Sequence, residues 1–251
     1  GIHKGIYKMT AEHHIDIAQE AYAPVFLKDY IAPAYSHTHI DLTFSMQGEI
    51  CILHARSRIE KQRDGNHDLV LDGEYFTCLS IRLNGQTLAP DTDYRIEGSD
   101  LIIPDPGEDI VLDVVSEIDV ANNTALEGLY KSGDLYCTQC EAEGFRRMTY
   151  FIDRPDNLCT FTTRIEADQD QCPTLLSNGN LMDSGTLDHN RHYAVFSDPF
   201  PKPCYLFACV AGPLSAVQDS YTARDGREID LRIYVRPGDE YRCEHVRTES
   251  L

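Results

Sequence analysis

The chain has 251 residues, 42% of them hydrophobic, with 22 Lys and Arg against 41 Asp and Glu and a formal net charge of −19. A chain of this length can bury a proper core, and acidity spread along it repels phosphate backbones, which speaks against nucleic acid as a partner. No run approaches the ~18 to 20 apolar residues of a membrane span, and the first twenty residues, with His13, His14 and Asp16, lack a signal peptide's apolar centre, so the sequence reads as soluble, cytoplasmic and without a membrane partner.

Nine cysteines are an odd number, and most sit in apolar sequence such as Leu206-Phe207-Ala208-Cys209-Val210. They read as reduced, mostly buried thiols rather than a disulfide framework. Residues 1–28 read as an N-terminal extension, partly tag-derived, with a short helix near Thr10 to Ala21. From Ser36 the pattern changes: Thr38, Ile40, Leu42 and Phe44 alternate with His37, His39, Asp41 and Thr43. That two-residue period predicts a half-buried strand with its histidines on the polar side.

Strands are predicted over Ile50 to Ile59, Asp68 to Leu71 and Tyr75 to Leu83, with Asn84-Gly85 as a hairpin turn because both positions need positive φ. Tyr94 to Ile96, Leu101 to Ile103 and Ile110 to Ile118 follow. About 25 residues from Ala121 then lack periodicity, and a loop that long tends to be functional. Strand character returns at Met148 to Ile152, Phe161 to Ala167, Thr174 to Leu176 and Arg191 to Phe196. Three prolines make Asp198 to Pro203 an edge or a connector. Cys204 to Val210, Leu214 to Tyr221 and Glu228 to Val235 finish the sheet, and a short helix starts after Pro237-Gly238. The fold class is therefore all-β: a β-sandwich of about a dozen strands, with a short helical start at the C-terminal end.

The densest chemistry lies between Cys137 and Asp156. Cys137-x-x-Cys140 has zinc or redox spacing, but it lacks a second ligand pair with knuckle spacing and a βαβ setting, so two incidental thiols is the preferred reading. His37, His39 and Asp41 could ligate a metal, yet a polar strand face needs no ion. Asp188, His189 and His192 are weaker still. There is no H-E-x-x-H, P-loop, G-x-G-x-x-G or G-x-S-x-G, so no catalytic residue is assigned to this chain. Gln139, Glu141 and Glu143 remain, with Arg146, Arg147, Asp153, Arg154 and Asp156. A loop carboxylate beside an amide oxygen suits capture of a primary ammonium, whereas the same residues could form an internal network that pins the loop. The residues alone leave both open.

Asn123-Thr-Ala-Leu-Glu-Gly-Leu-Tyr130, Cys137-Thr-Gln-Cys-Glu-Ala-Glu-Gly-Phe-Arg146, Asp153-Arg-Pro-Asp156, Leu175-Leu-Ser-Asn-Gly-Asn180 and Asp198-Pro-Phe-Pro-Lys-Pro-Cys-Tyr-Leu-Phe207 occur in that order. Together they resemble the amino-terminal domain of bacterial aminopeptidase N, in the zinc-dependent alanyl aminopeptidase family of thermolysin-like metallopeptidases. The resemblance implies a saddle-like β domain over 29–237 and the beginning of a catalytic domain's first helix over 238–251, which the sequence does not complete. It further implies a peptide substrate with a free N-terminus, bound partly by Gln139 and Glu141 and chiefly by Glu141, while Arg146 and Asp153 support the fold. Zinc, its H-E-x-x-H ligands and the glutamate base that activates the metal's water would belong to a catalytic domain on which this one packs. The alternative expectation is a free-standing β-sandwich module that binds peptides or other cationic ligands without catalysis.

Overall fold

The computed structural model describes residues 26–243. The predicted helix near Thr10 to Ala21 lies outside the described residues. Contacts divide the chain after Ala32. On the first side the described stretch is exposed, with one 3-10 turn at Leu27–Asp29. The second unit runs from Pro33 onward.

Its strands in chain order are β1 (Tyr35–Gln47), β2 (Ile50–Lys61), β3 (Leu69–Asp72), β4 (Thr77–Leu83), β5 (Gln86–Thr87), β6 (Arg95–Glu97), β7 (Asp100–Ile103), β8 (Asp109–Asp119), β9 (Gly128–Ser132), β10 (Leu135–Gln139), β11 (Leu158–Asp168), β12 (Thr174–Ser177), β13 (Asn180–Leu187), β14 (Arg191–Pro203), β15 (Cys209–Gly212), β16 (Ser215–Thr222) and β17 (Glu228–Val235). Eight form one sheet in the order β13-β14-β11-β1-β2-β8-β4-β5. The others form a four-stranded sheet, β12-β15-β10-β9, a three-stranded sheet, β3-β7-β6, and the ribbon β16-β17. Among the described strands, only β1 and β11 pair in parallel.

The period of two explains how one large sheet serves two cores. Along β2, Cys51, Leu53, Ala55, Ser57 and Ile59 all turn to the same face and are buried. The first three join a core with Phe44, Leu129, Tyr136, Phe145, Phe161 and Phe207, which the four-stranded sheet covers. Ile59 joins a second core with Leu69, Leu71, Leu101, Ile110 and Leu112, which the three-stranded sheet covers. Strand β8 repeats the pattern, with buried Ser116 between Val114 and Ile118. Ser57 and Ser116 therefore mark a seam between the two cores.

The segment after β10 crosses this seam. Its Phe145, Met148 and Phe151 enter the first core and Ile152 enters the second, while Ser116 Oγ donates to the Met148 carbonyl at 2.7 Å. Phe145 meets the rings of Phe151, Phe207 and Phe161 at centroid distances of 4.7, 5.5 and 6.1 Å. Full burial of one such side chain contributes about 1.5 to 3 kcal/mol, and edge-on aromatic contacts add roughly 0.5 to 1.5 kcal/mol each.

Several expectations are corrected. His37 is not on the polar face: a bulge between His37 and His39 makes Thr38 the extra residue, which turns His37 inward and fully buries it against Phe151 at 3.9 Å. The unpatterned stretch after Ala121 contains the hairpin β9-β10, which turns at Gly133 with φ +62°. Met148 to Ile152 is not a strand; it is the seam plug just described, tied to β3 by a single bridge from Phe151 to Asp72. Cys204 to Val210 is a 3-10 turn, Cys204–Leu206, followed by β15. There the Asn178 amide takes the Ala208 N–H at 2.6 Å and donates to the Leu206 carbonyl at 3.2 Å, doing what a strand neighbour would do. Strand β13 was not foreseen, because nearly all of it is exposed and shows no alternation. The prolines of β14 lie beyond Ser197, the last residue it pairs with β13, so they do sit on an edge. Strands β16 and β17 form a separate ribbon rather than finishing the large sheet. After Gly238 the described chain makes a 3-10 turn, Glu240–Cys243; residues 244–251 lie outside the description.

Candidate functional site

Gln139 is the last residue of β10 and pairs with Gly128 of β9. Cys140 then drops into the core at 1% exposure, and burial pushes its thiol pKa upward. Three exposed residues follow, Glu141, Ala142 and Glu143, and the Glu141–Ala142 peptide bond is cis. The chain returns at buried Gly144, whose N–H donates to the Cys140 carbonyl at 2.9 Å, and the 3-10 turn Phe145–Arg147 drives Phe145 into the core. Glu141 is thus presented by an excursion of three residues between two buried anchors.

Glycine is required where this loop crosses the hairpin. A β-carbon on Gly144 would collide with the Gln139 carbonyl oxygen and lie 3.0 Å from the Gly128 nitrogen. At Gly128, φ is +68°, and an added β-carbon would lie 2.8 Å from that of Arg147.

Two adjacent arginines anchor the loop in different directions. The Arg146 backbone N–H and Nε both donate to Asp153 Oδ2, at 3.1 and 2.9 Å, and Nη2 donates to the Asp153 carbonyl at 3.1 Å. Asp72 Oδ1 lies 3.5 Å from Arg146 Nη1, and Asp72 Oδ2 accepts the Asp153 N–H at 3.0 Å. Burial raises the Asp72 carboxyl pKa, against the lowering effect of that N–H and of Arg146. The Cys204 thiol donates to Asp153 Oδ1 at 3.0 Å, and burial followed by the Asp153 charge pushes the thiol far upward. Arg147 turns instead to Glu127 Oε2 at 2.9 Å and Glu74 Oε1 at 3.3 Å, under the Tyr75 ring at 4.3 Å.

The two readings of the segment therefore fall on different residues. Arg146, Arg147 and Asp153 form the internal network, with Asp72, Glu74 and Glu127 supplied from distant parts of the chain. Glu143 touches its edge at 3.6 Å from Arg146 Nη2, and Arg154 pairs locally with Asp156 at 2.7 Å. Gln139 and Glu141 stand outside it. Both are exposed, and among the described residues neither side chain has a hydrogen bond or ion pair. Arg147 was among the residues the sequence offered for such a network, but its partners Glu74 and Glu127 and its contact with Gly128 were not legible in sequence spacing.

Among the described residues, no three His, Cys, Asp or Glu side chains converge to hold a metal. His39 instead bonds Thr160 Oγ1 at 2.8 Å and Asp41 Oδ1 at 3.0 Å, and His192 Nε2 bonds the Cys172 carbonyl at 2.7 Å. His189 lies in a turn at φ +60°. The residues described here do not fit a zinc ion.

The Peptidase M1 N-terminal domain family matches residues 36–206. The chain is 46% identical to aminopeptidase N of Escherichia coli (strain K12) over 211 residues, 84% of this chain and 24% of that protein. It is 43% identical to aminopeptidase N of Caulobacter vibrioides over 222 residues, 88% of this chain and 26% of that protein. Among solved structures, Legionella pneumophila aminopeptidase A in complex with aspartic acid superposes with a TM-score of 0.83 at 34% identity, over 88% of this chain and 26% of that one. A two-domain M1 zinc metallopeptidase bound to L-tryptophan superposes at 0.68 with 16% identity, over 82% of this chain and 49% of that one, a likeness of fold alone. The chain spans about a quarter of the length of the curated relatives it matches.

Proposed function

The chain belongs to the Peptidase M1 N-terminal domain family, and on that premise we propose that it is the first domain of a zinc aminopeptidase that removes amino-terminal residues from peptides. In this reading residues 29–237 form the domain and 238–251 lead into a catalytic domain, the partner on which this one packs. Glu141 and Gln139 receive the α-ammonium of the substrate. The observation that carries this role is the state of Glu141: an exposed carboxylate without a side-chain partner among the described residues, on a loop fixed at Cys140 and Gly144.

A primary ammonium has three donors, and Glu141 with the Gln139 side-chain oxygen offers acceptors from one short segment. A hydrogen bond to a charged group contributes roughly 1.5 to 3 kcal/mol. Holding the amine in one place also fixes which peptide bond lies one residue away, so binding sets the cleavage register. Zinc supplies hydrolytic chemistry in the family, and its ligands belong to the catalytic domain rather than to the residues described here. Nine free cysteines support a reducing compartment, the cytoplasm.

Calorimetry on this chain with short peptides bearing free or acetylated amino termini tests the reading. A half-site binds both weakly, and the chain alone leaves an alanyl amide uncut. Tight, amine-dependent binding would instead favour a free-standing binding module, and cleavage would overturn the assignment of the chemistry to another domain.

A further inference from the structure

We propose that Arg147 is a positioning residue for Gln139 and Glu141; this rests on the amine-binding reading above. Strand β9 is the outermost strand of its sheet, so no further strand of that sheet holds its far side. Yet β9 sets the end of β10, because Gly128 pairs with Gln139. Arg147 packs against Gly128, close enough that an added β-carbon there would meet the arginine's own at 2.8 Å.

From that position its guanidinium pairs with the residue preceding Gly128, through Glu127 Oε2 at 2.9 Å, and lies within ion-pair distance of the connection between β3 and β4, with Nε 3.3 Å from Glu74 Oε1 but not hydrogen-bonded to it. Tyr75 covers the guanidinium at 4.3 Å. The Arg147 side chain is 16% exposed and Glu74 33%, so that pairing is screened less than a surface ion pair, whereas Glu127 is 48% exposed. A planar fork reaches two carboxylates at once while stacking on a ring, whereas an ammonium acts as a point charge. Arg147 also ends the 3-10 turn that brings the loop back from Glu141. One side chain therefore ties the loop's return to the strand that carries the pairing of Gln139. Among the described residues, Gln139 and Glu141 have no side-chain partners of their own to hold them when that tie is released.

The test uses the full-length aminopeptidase of this reading, with kcat and KM measured for an alanyl amide alongside amide hydrogen exchange at Gly128 and Gln139. Arg147→Met is expected to raise KM about tenfold with kcat per folded enzyme within about twofold, since misplacement of the order of 1 Å costs up to about a hundredfold. Exchange at Gly128 and Gln139 accelerates in the same variant. Arg147→Lys recovers part of the KM, because it keeps the charge. Should Arg147→Met fold poorly, Glu127→Gln removes one partner at constant size and raises KM about threefold. Wild-type KM in the Arg147 and Glu127 variants, while Glu141→Ala is impaired, overturns the positioning role and leaves the amine site standing. Wild-type kinetics in Glu141→Ala overturns the amine site itself.

Discussion

Gly128 and Gly144 meet backbone to backbone: a β-carbon on Gly144 would lie 3.0 Å from the Gly128 nitrogen, and one on Gly128 would lie 3.2 Å from the Gly144 carbonyl oxygen. This close approach lets the Glu141 loop fold back over the β9-β10 hairpin, and it makes the loop's geometry depend on the lack of two side chains.

Gly144→Ala is therefore expected to destabilise the chain by about 3 kcal/mol, through overpacking against backbone that cannot move aside. Thermal unfolding should show a midpoint lower by roughly 6 to 12 °C. An unchanged midpoint would mean that the crossing is looser than described.

The Arg146 and Asp153 pair gives a second prediction. Asp153 has 2% side-chain exposure and Arg146 18%. Asp153→Ala removes the closest carboxylate from a largely buried guanidinium, which keeps only the longer contacts to Asp72 and Glu143 and the backbone carbonyl of residue 153, and leaves the Arg146 N–H and the Cys204 thiol without their acceptor. The expected cost is about 3 to 5 kcal/mol, read by urea unfolding. Glu141→Ala removes an exposed side chain without a partner and should stay within about 0.5 kcal/mol of wild type. Similar losses in the two variants would erase the division between network and binding residues.

His37 makes stability depend on pH. Burial pushes its pKa down to about 3, from an ordinary 6.5. The unfolded chain binds a proton below pH 6.5 that the folded chain refuses until about pH 3. Stability from the neutral ring is thus fully present above pH 6.5 and is lost progressively as pH falls toward 3, by at most about 1.4 kcal/mol per unit. Urea unfolding at pH 7, 5.5 and 4.5 should show a shallower acid decline in His37→Phe than in wild type. Parallel declines would contradict this.

Legibility followed strand length and the number of faces buried. Strands β1, β2, β8 and β11 run for 11 to 13 residues with one face in the core, so alternation shows through in sequence. Strand β10 buries only Tyr136, and β13 buries nothing fully, so neither carries a period. Met148, Phe151 and Ile152 are apolar because they plug the seam between two cores, and plugging imitates a strand in composition. A bulge reversed His37, since one extra residue exchanges the faces for all that precede it. For the site, residue chemistry singled out the segment from Cys137 to Asp156 without separating the network residues from those proposed to bind the amine. That separation depends on Asp72, Glu74, Glu127 and Asp153, whose approach to the loop no spacing encodes. Gln139 and Glu141 were singled out through the family resemblance.

In the proposed function Glu141 holds the substrate's amino terminus and takes no part in folding or metal binding. The most direct measurement is kcat/KM for an alanyl amide in the full-length enzyme carrying Glu141→Ala, with zinc content and thermal midpoint determined on the same sample. Loss of a charge-assisted contact of roughly 1.5 to 3 kcal/mol should lower kcat/KM about tenfold to a hundredfold, with zinc and midpoint unchanged. Wild-type kcat/KM, or a fall that tracks lost zinc, would contradict it.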